Sequence, residues 1–325
     1  MSKVPLSLAY GRNVRNSAVL DGVAKAQGVD FCVSEVHAAE LFWRQFERAE
    51  FDVSELSISS LLISIDHGNA EYIGIPAFSS RTFFHTRMLV RSDSGIETPA
   101  DLVGKRIGIP EYQQTGALWV RQALQEEFGV APDQMEWWMG RSKNFSHGGS
   151  TDFRVPNGVT MHYVAQDDDL GSMIVRGELD ALGMYVRNTL VDRSTIDLDS
   201  DARVRTLFPD PIAEGIRYYR KTGIYPINHT LAIRRSLVEK YPWLPQNLYN
   251  AFVESKRIGE AKLRNDTFDY VAAGCMSVSG EDPMPYGYVA NRRLLDTLRR
   301  CSFEQGLTSR LIDPEEVWVP SMLTL

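Results

Sequence analysis

Cysteine is scarce in this chain: Cys32, Cys275 and Cys301 stand far apart and form no CxxC pair. That scatter disfavours a disulfide frame or a cysteine zinc site and reads as buried or free thiols in a reducing compartment. An excess of positive charge is also missing, since the formal net charge is −7. Such a balance argues against a broad nucleic-acid or anionic-membrane partner, while leaving room for a small basic pocket. No apolar run approaches the roughly 18 residues of a membrane span. The first ten residues, Met1 to Tyr10, pass straight into a strand-like run, without the h-region and cleavage site of a secretory leader. A cytoplasmic location is the expectation. GxGxxG, Walker and GxSxG patterns are absent, which disfavours nucleotide-dependent and serine-hydrolase chemistry.

What remains is a chain of 325 residues in which short apolar runs alternate with amphipathic segments. That alternation is the signature of α/β architecture with mainly parallel strands. Strands are expected at Leu6–Tyr10, Phe31–Ser34, Tyr72–Ala77, Met88–Arg91, Arg106–Ile109, Met135–Trp138, Ala181–Tyr185, Arg203–Leu207 and His229–Ile233. Helices are expected at Ser17–Ala26, Ala38–Ala49, Gly116–Phe128, Leu170–Arg176, Leu237–Tyr241, Pro245–Arg264 and Tyr288–Gln305. In the third of these helices Ala117, Val120, Leu124 and Phe128 recur at helical spacing. The segment from Lys143 to Val159 is rich in Gly, Ser, Asn and Pro and reads as a long surface loop, a common form for a lid.

The stretch from Glu71 to His85 carries the densest chemistry. An apolar strand meets Pro76, and Ser79, Ser80, Arg81 and His85 then fall within seven residues. A guanidinium can grip a carboxylate through two parallel hydrogen bonds, and an imidazole exchanges a proton near neutral pH. An ion pair is the plain alternative for Arg81, and a structural hydrogen bond for His85. His229 lies in a similar context, Pro226 to Ala232, so the two expected crossovers between lobes each carry a histidine. Glu55 ends a strand and begins a helix, where Ser54 or Ser57 can cap and free amides can hold an anion. Thr115 and its neighbouring amides open another helix and offer the same; an ordinary capped turn would use the same residues. His37 and His67 read as solvated, and His147 and His162 belong to no motif. Asp167 to Asp169 lacks calcium-loop spacing.

Several segments together resemble the 4,5-dihydroxyphthalate decarboxylase family. They are Phe51 to Ser60, Ile75-Pro-Ala-Phe-Ser-Ser-Arg81 with His85, Gly104 to Gln113, Trp119, Phe128-Gly-Val130, Tyr218 to His229, Pro242-Trp243 and Pro285 to Asn291. The chain departs from the family pattern at Tyr10 to Arg15, where an Asp-Arg pair is usual. It also departs at Phe78-Ser-Ser-Arg81, at Phe84 and at Ile227-Asn-His229, where the family has Ile-Met-His. The region from Arg141 to Val186 matches poorly.

The resemblance implies an α/β fold of the type II periplasmic-binding-protein kind, with a ligand cleft between two lobes joined by two crossover strands. Lobe one would hold residues 1–88 and 208–325, and lobe two 89–207. It also implies non-oxidative decarboxylation of a hydroxylated aromatic acid, such as 4,5-dihydroxyphthalate to protocatechuate, without an organic cofactor. His85, His229 and Glu55 would be catalytic, with acid and base roles undivided. Arg81, Ser80, Tyr112, Gln113, Thr115 and Arg12 would bind the substrate. No resident metal is expected, although His85, His229 and Glu55 could in principle form a metal triad. The partner expected is a small aromatic carboxylic acid, and self-association stays open. A solute-binding protein for an aromatic or pyrimidine ligand is the rival; a menaquinone-pathway dehydratase or a naphthoate synthase is a third reading.

Overall fold

The computed structural model describes residues 2–266 and 270–325. Its strands are β1 (Val4–Tyr10), β2 (Val29–Glu35), β3 (Val53–Ser57), β4 (Tyr72–Arg81), β5 (Leu89–Arg91), β6 (Arg106–Ile109), β7 (Glu136–Met139), β8 (Thr160–Tyr163), β9 (Ala181–Leu182), β10 (Val204–Thr206) and β11 (Ile227–Arg234). The helices are α1 (Ser17–Leu20), α2 (Ala38–Arg48), α3 (Ile58–Asp66), α4 (Thr115–Phe128), α5 (His147–Ser150), α6 (Leu170–Arg176), α7 (Pro211–Thr222), α8 (Arg235–Lys240), α9 (Leu244–Asp266), α10 (Tyr270–Ser279), α11 (Tyr288–Glu304) and α12 (Pro314–Val317).

The strands divide between two sheets, ordered β2-β1-β3-β11-β4 and β10-β5-β9-β6-β7-β8. In the first, β1 runs parallel to β2 and β3, while β11 is antiparallel to β3 and β4. β3 is buried along its whole length, as a central strand covered on both faces must be. In the second sheet β6, β7 and β8 run parallel, and β5 and β10 close the other edge antiparallel. The chain leaves the first sheet after Arg81 and enters the second at β5. It returns from β10 through α7 to β11. One apolar cluster runs through both halves, taking Leu41, Leu56 and Phe78 from one and Ile107, Trp119 and Trp137 from the other.

Local chemistry explains the element ends. Gly129 adopts φ 71° and stops α4, with its amide bonded back to the last turn. Asp210 caps α7 through the amides of Ile212 and Ala213, Pro211 opens it, and Gly223 ends it at φ 67°. His37, expected to be solvated, caps α2 by accepting the Ala39 amide on Nδ1 at 3.3 Å.

Three expectations need correction. The stretch at His85 is a 3-10 turn, Phe84–Arg87, rather than a crossing strand. The first helix ends at Leu20, and Gly22 then takes a left-handed turn at φ 69°. The segment following Lys143 is not a free surface loop. It forms a 3-10 turn (Lys143–Phe145) and then α5, with Ser146 and His147 fully buried.

Candidate active site

The carboxyl ends of β1, β3 and β4 meet the beginning of β11 at one edge of the first sheet, where loops of an open α/β fold converge on a ligand. Glu55 and His229 stand here. His229 pairs across the ladder with Ser57 on one side and Ser80 on the other, and the register with β4 is irregular on both sides of it. Its Nδ1 lies 2.8 Å from Glu55 Oε1, and the other carboxylate oxygen accepts the Gly11 amide at 3.3 Å. A carboxylate only accepts, so the proton of the neutral ring sits on Nδ1 and the Nε2 lone pair is left uncommitted. The imidazole is one-fifth exposed while Glu55 is almost sealed. An oriented base with an open lone pair beside a buried carboxylate is the arrangement of a proton carrier. Phe42 meets the ring edge-on at 4.7 Å.

Two helix starts face each other next to this pair. The Thr115 hydroxyl lies 2.9 Å from Ser57 Oγ and accepts the Ser59 amide of α3 at 3.0 Å, while Ser57 Oγ accepts the Thr115 amide at 3.4 Å. Each helix is therefore capped from the opposite sheet's side rather than by its own preceding residue, Ser57 for α3 and Gln114 for α4. The expected self-capping by Ser57 does not occur. Two positive dipole ends brought together at one point favour an anion between them. Nearby polar groups lack partners: Ser59 Oγ, and both amide atoms of fully buried Asn228.

The second sheet contributes a sealed charge network. Arg141 grips Asp192 through Nε and Nη2 at 2.7 and 3.0 Å and reaches Glu111 Oε1 through Nη1 at 2.8 Å. Glu111 also accepts the Ser146 hydroxyl at 2.8 Å and the Gly148 amide at 2.9 Å. A Cβ at Gly148 would lie 2.6 Å from the Gln113 carboxamide, which would have to shift to admit it. His147 joins the network, with Nε2 3.3 Å from Glu111 Oε1 and Nδ1 2.7 Å from Ser60 Oγ on α3. Sequence reasoning gave His147 less weight than His85 and His229, as a residue of the expected lid that could reach a cleft but has no motif. The signal available was its place in the Gly-Ser-rich segment, which held no motif.

The other expected site residues separate from this edge. His85 is buried between Phe83, Phe208 and Tyr218, with Nε2 3.5 Å from Glu214 Oε1. Tyr218 in turn bonds Gln122, about 10 Å along α4 from Thr115. His85 is thus closed off among aromatic rings while His229 keeps an exposed edge, and burial pulls the His85 pKa down. Arg81 does not present a free fork. Nη1 bonds the Tyr225 carbonyl at 3.3 Å, and Nη2 bonds the Pro285 carbonyl and Asn291 Oδ1 at 2.6 and 2.7 Å, which ties β4 to α11. Arg12 is bound through two nitrogens to Glu35, at 2.7 and 2.5 Å, and pairs with Asp21. Tyr112 lies in the core, with the Arg121 guanidinium 3.7 Å above its ring. Gln113 donates to Glu111 within the sealed network. Ser80, Thr115, Glu55 and His229 are the members that the structure brings together.

A groove of about 640 Å³ lies elsewhere, lined by Asp66, His67, Arg154, Pro156, Glu304 and Thr308 among others, and none of the dyad or helix-start residues lines it. Among the described residues no group of three or more His, Cys, Asp and Glu side chains could hold a metal ion, and no helix is long and apolar enough to cross a membrane.

A family model described as an ABC transporter phosphonate periplasmic substrate-binding protein matches residues 15–195. A 4,5-dihydroxyphthalate decarboxylase of Comamonas testosteroni is 33% identical over 331 residues, covering 99% of this chain and 98% of that protein. One of Pseudomonas putida is 38% identical over 182 residues, covering 56% of this chain and 70% of its own length. Among solved structures, the alkanesulfonate-binding protein SsuA from Xanthomonas axonopodis pv. citri, bound to MOPS, superposes with a TM-score of 0.58 at 14% identity, covering 98% of this chain and 99% of its own. The likeness to that structure shows the fold: the two-sheet α/β architecture is that of the periplasmic binding proteins.

Proposed function

This chain belongs to the 4,5-dihydroxyphthalate decarboxylase family, and from that premise we propose that it is a carboxy-lyase acting on a hydroxylated aromatic carboxylic acid. The observation that carries the reading is the His229–Glu55 pair, 2.8 Å apart at the sheet edge with one ring nitrogen open. Loss of carbon dioxide from an aryl carboxylate would leave an unstable aryl anion. A hydroxyl para to the carboxylate avoids it by feeding electron density to the ipso carbon. Protonated His229, held by Glu55, delivers its proton to that carbon. The carbon–carboxylate bond then breaks, its electron pair restores the aromatic ring, and carbon dioxide leaves. One proton is consumed per turnover, and the exposed edge of His229 reloads from solvent. A second carboxylate of the substrate lies between the starts of α3 and α4, taking over donors that Ser57 and Thr115 now give each other. Residues 1–88 with 208–325 and residues 89–207 serve as the two lobes that close on the ring.

The assay is carbon dioxide release from 4,5-dihydroxyphthalate. His229→Ala lowers kcat by about 10²–10⁴-fold, the usual range for a positioned acid or base, and Glu55→Gln follows in the same direction. Wild-type rates in both variants end the assignment. The match of residues 15–195 to substrate-binding proteins favours the rival, capture of an aromatic acid without turnover. Tight binding of phthalate by calorimetry with no carbon dioxide from any hydroxylated analogue would decide for that rival.

A further inference from the structure

We propose that His147 is a positioning residue that ties closure of the cleft to the His229–Glu55 pair. It sits on the segment following β7 in the second sheet's half, beside the Glu111–Arg141–Asp192 network, yet the side chains its ring packs against and bonds belong to the first. Its Nδ1 meets Ser60 of α3 at 2.7 Å, and its ring packs against Phe42 and Phe46 of α2. Phe42 is the shared element: its ring stands edge-on to His147 at 5.5 Å and edge-on to His229 at 4.7 Å. The aromatic wall against His229 is thus backed by a side chain that arrives from the other half. The same segment is fastened at three further points. Phe145 lies 5.1 Å from the Trp43 ring, Ser150 donates to Glu47 at 2.8 Å, and the Thr151 carbonyl lies 2.9 Å from His67 Nδ1.

The seated imidazole is neutral. Nδ1 shares a hydrogen bond with the Ser60 hydroxyl, while Nε2 lies 3.3 Å from Glu111 Oε1 without a hydrogen bond to hold a second ring proton. The charged groups around it are Glu111 and Arg141 at the ends of β6 and β7, Asp192 on the following loop, and His229 from β11. α2 presents Phe42 and Phe46 to the ring, and α3 presents Ser60. Burial outweighs the pull of Glu111 and lowers the pKa of His147 from 6.5 to about 4. A group whose pKa is depressed on seating stabilises the seated form above its free pKa. That contribution is lost as pH falls from about 6.5 towards 4. Acid therefore opens the latch before it touches the sealed carboxylates.

The second readout rests on the decarboxylase reading; the first does not. The comparison is wild type against His147→Gln, which keeps a hydrogen-bonding end but does not titrate. Between pH 7.5 and 5.5 the wild-type melting temperature falls relative to the variant's. Over the same interval the wild-type KM rises about tenfold more than the variant's, with the kcat ratio nearly flat. His147→Ala raises KM at pH 7.5 by a larger factor than it lowers kcat. Parallel melting profiles overturn the proposal, and so does a melting difference with parallel KM profiles, which would mark His147 as packing alone. Should no acid be turned over, the decarboxylase reading fails by itself. The calorimetric Kd for phthalate then replaces KM, with the same tenfold divergence expected and parallel profiles again overturning the latch.

Discussion

The two sides of the cleft use charge in opposite ways. The first sheet presents Glu55 and His229, two groups joined by one bond, with a ring nitrogen left over and an edge in solvent. The second presents Glu111, Arg141 and Asp192, buried and satisfied by each other and by Ser146, Gly148 and Thr189. A network with every site taken can fix geometry but has nothing left to offer a reacting atom. A pair with one site open can exchange a proton. Density of charged residues is therefore a poor guide to the chemistry here, and the uncommitted atom is the better one.

The contrast breaks most visibly at Arg141. Arg141→Met leaves two buried carboxylates facing each other without their cation, and removing one partner of a buried ionic network costs about 3–5 kcal/mol. Urea unfolding should show that loss, while kcat per folded molecule changes far less than it does for His229→Ala. A loss of activity at unchanged stability would mean that the second sheet's network takes part in the chemistry. A smaller effect is expected where the two sides touch. Thr115→Val removes the hydroxyl that caps α3, and losing an N-terminal cap costs about 1 kcal/mol. KM should rise with it if the proposed anion site lies between the helix starts. An unchanged KM would place the carboxylate elsewhere.

Much of this arrangement was legible in the sequence, and the failures have physical causes. Apolar periodicity located most strands, because burial on both faces of a parallel sheet demands it. The Asp210-Pro211 start and Gly223 stop of α7 were equally readable and were passed over in favour of the apolar pattern. Within the site, Glu55, His229 and Thr115 lie at strand ends and helix starts, positions that local rules can find. His85 and Arg81 stand apart from this group, and local rules do not reveal it. A histidine in a sealed aromatic pocket and an arginine tying a strand to a distant helix carry the same residue types as catalytic ones. What separates them is partners from elsewhere, Glu214 for one and Asn291 for the other, more than a hundred positions along the chain. His147 drew less weight for the converse reason, since its value comes from Phe42 and Ser60, which no spacing rule connects to it.

Asn228 gives the smallest and sharpest test of the open side. It stands between Ile227, whose carbonyl takes the Trp119 indole at 2.8 Å, and His229, in the strand irregularity that also sets His229 apart from the regular ladder. Both ends of its carboxamide are unpaired at zero exposure. An amide buried in that way destabilises a fold by about 1–3 kcal/mol, and an apolar replacement of similar shape removes the penalty. Asn228→Leu should therefore raise the melting temperature, by the equivalent of roughly 1 kcal/mol once imperfect packing is allowed for. The Glu111–Arg141–Asp192 network allows no such gain, because removing any one of the three strands another. A fall in stability on Asn228→Leu would show that the amide has a partner such as a buried water. The open side would then be as fully committed as the sealed one, and the uncommitted atom would no longer distinguish the two.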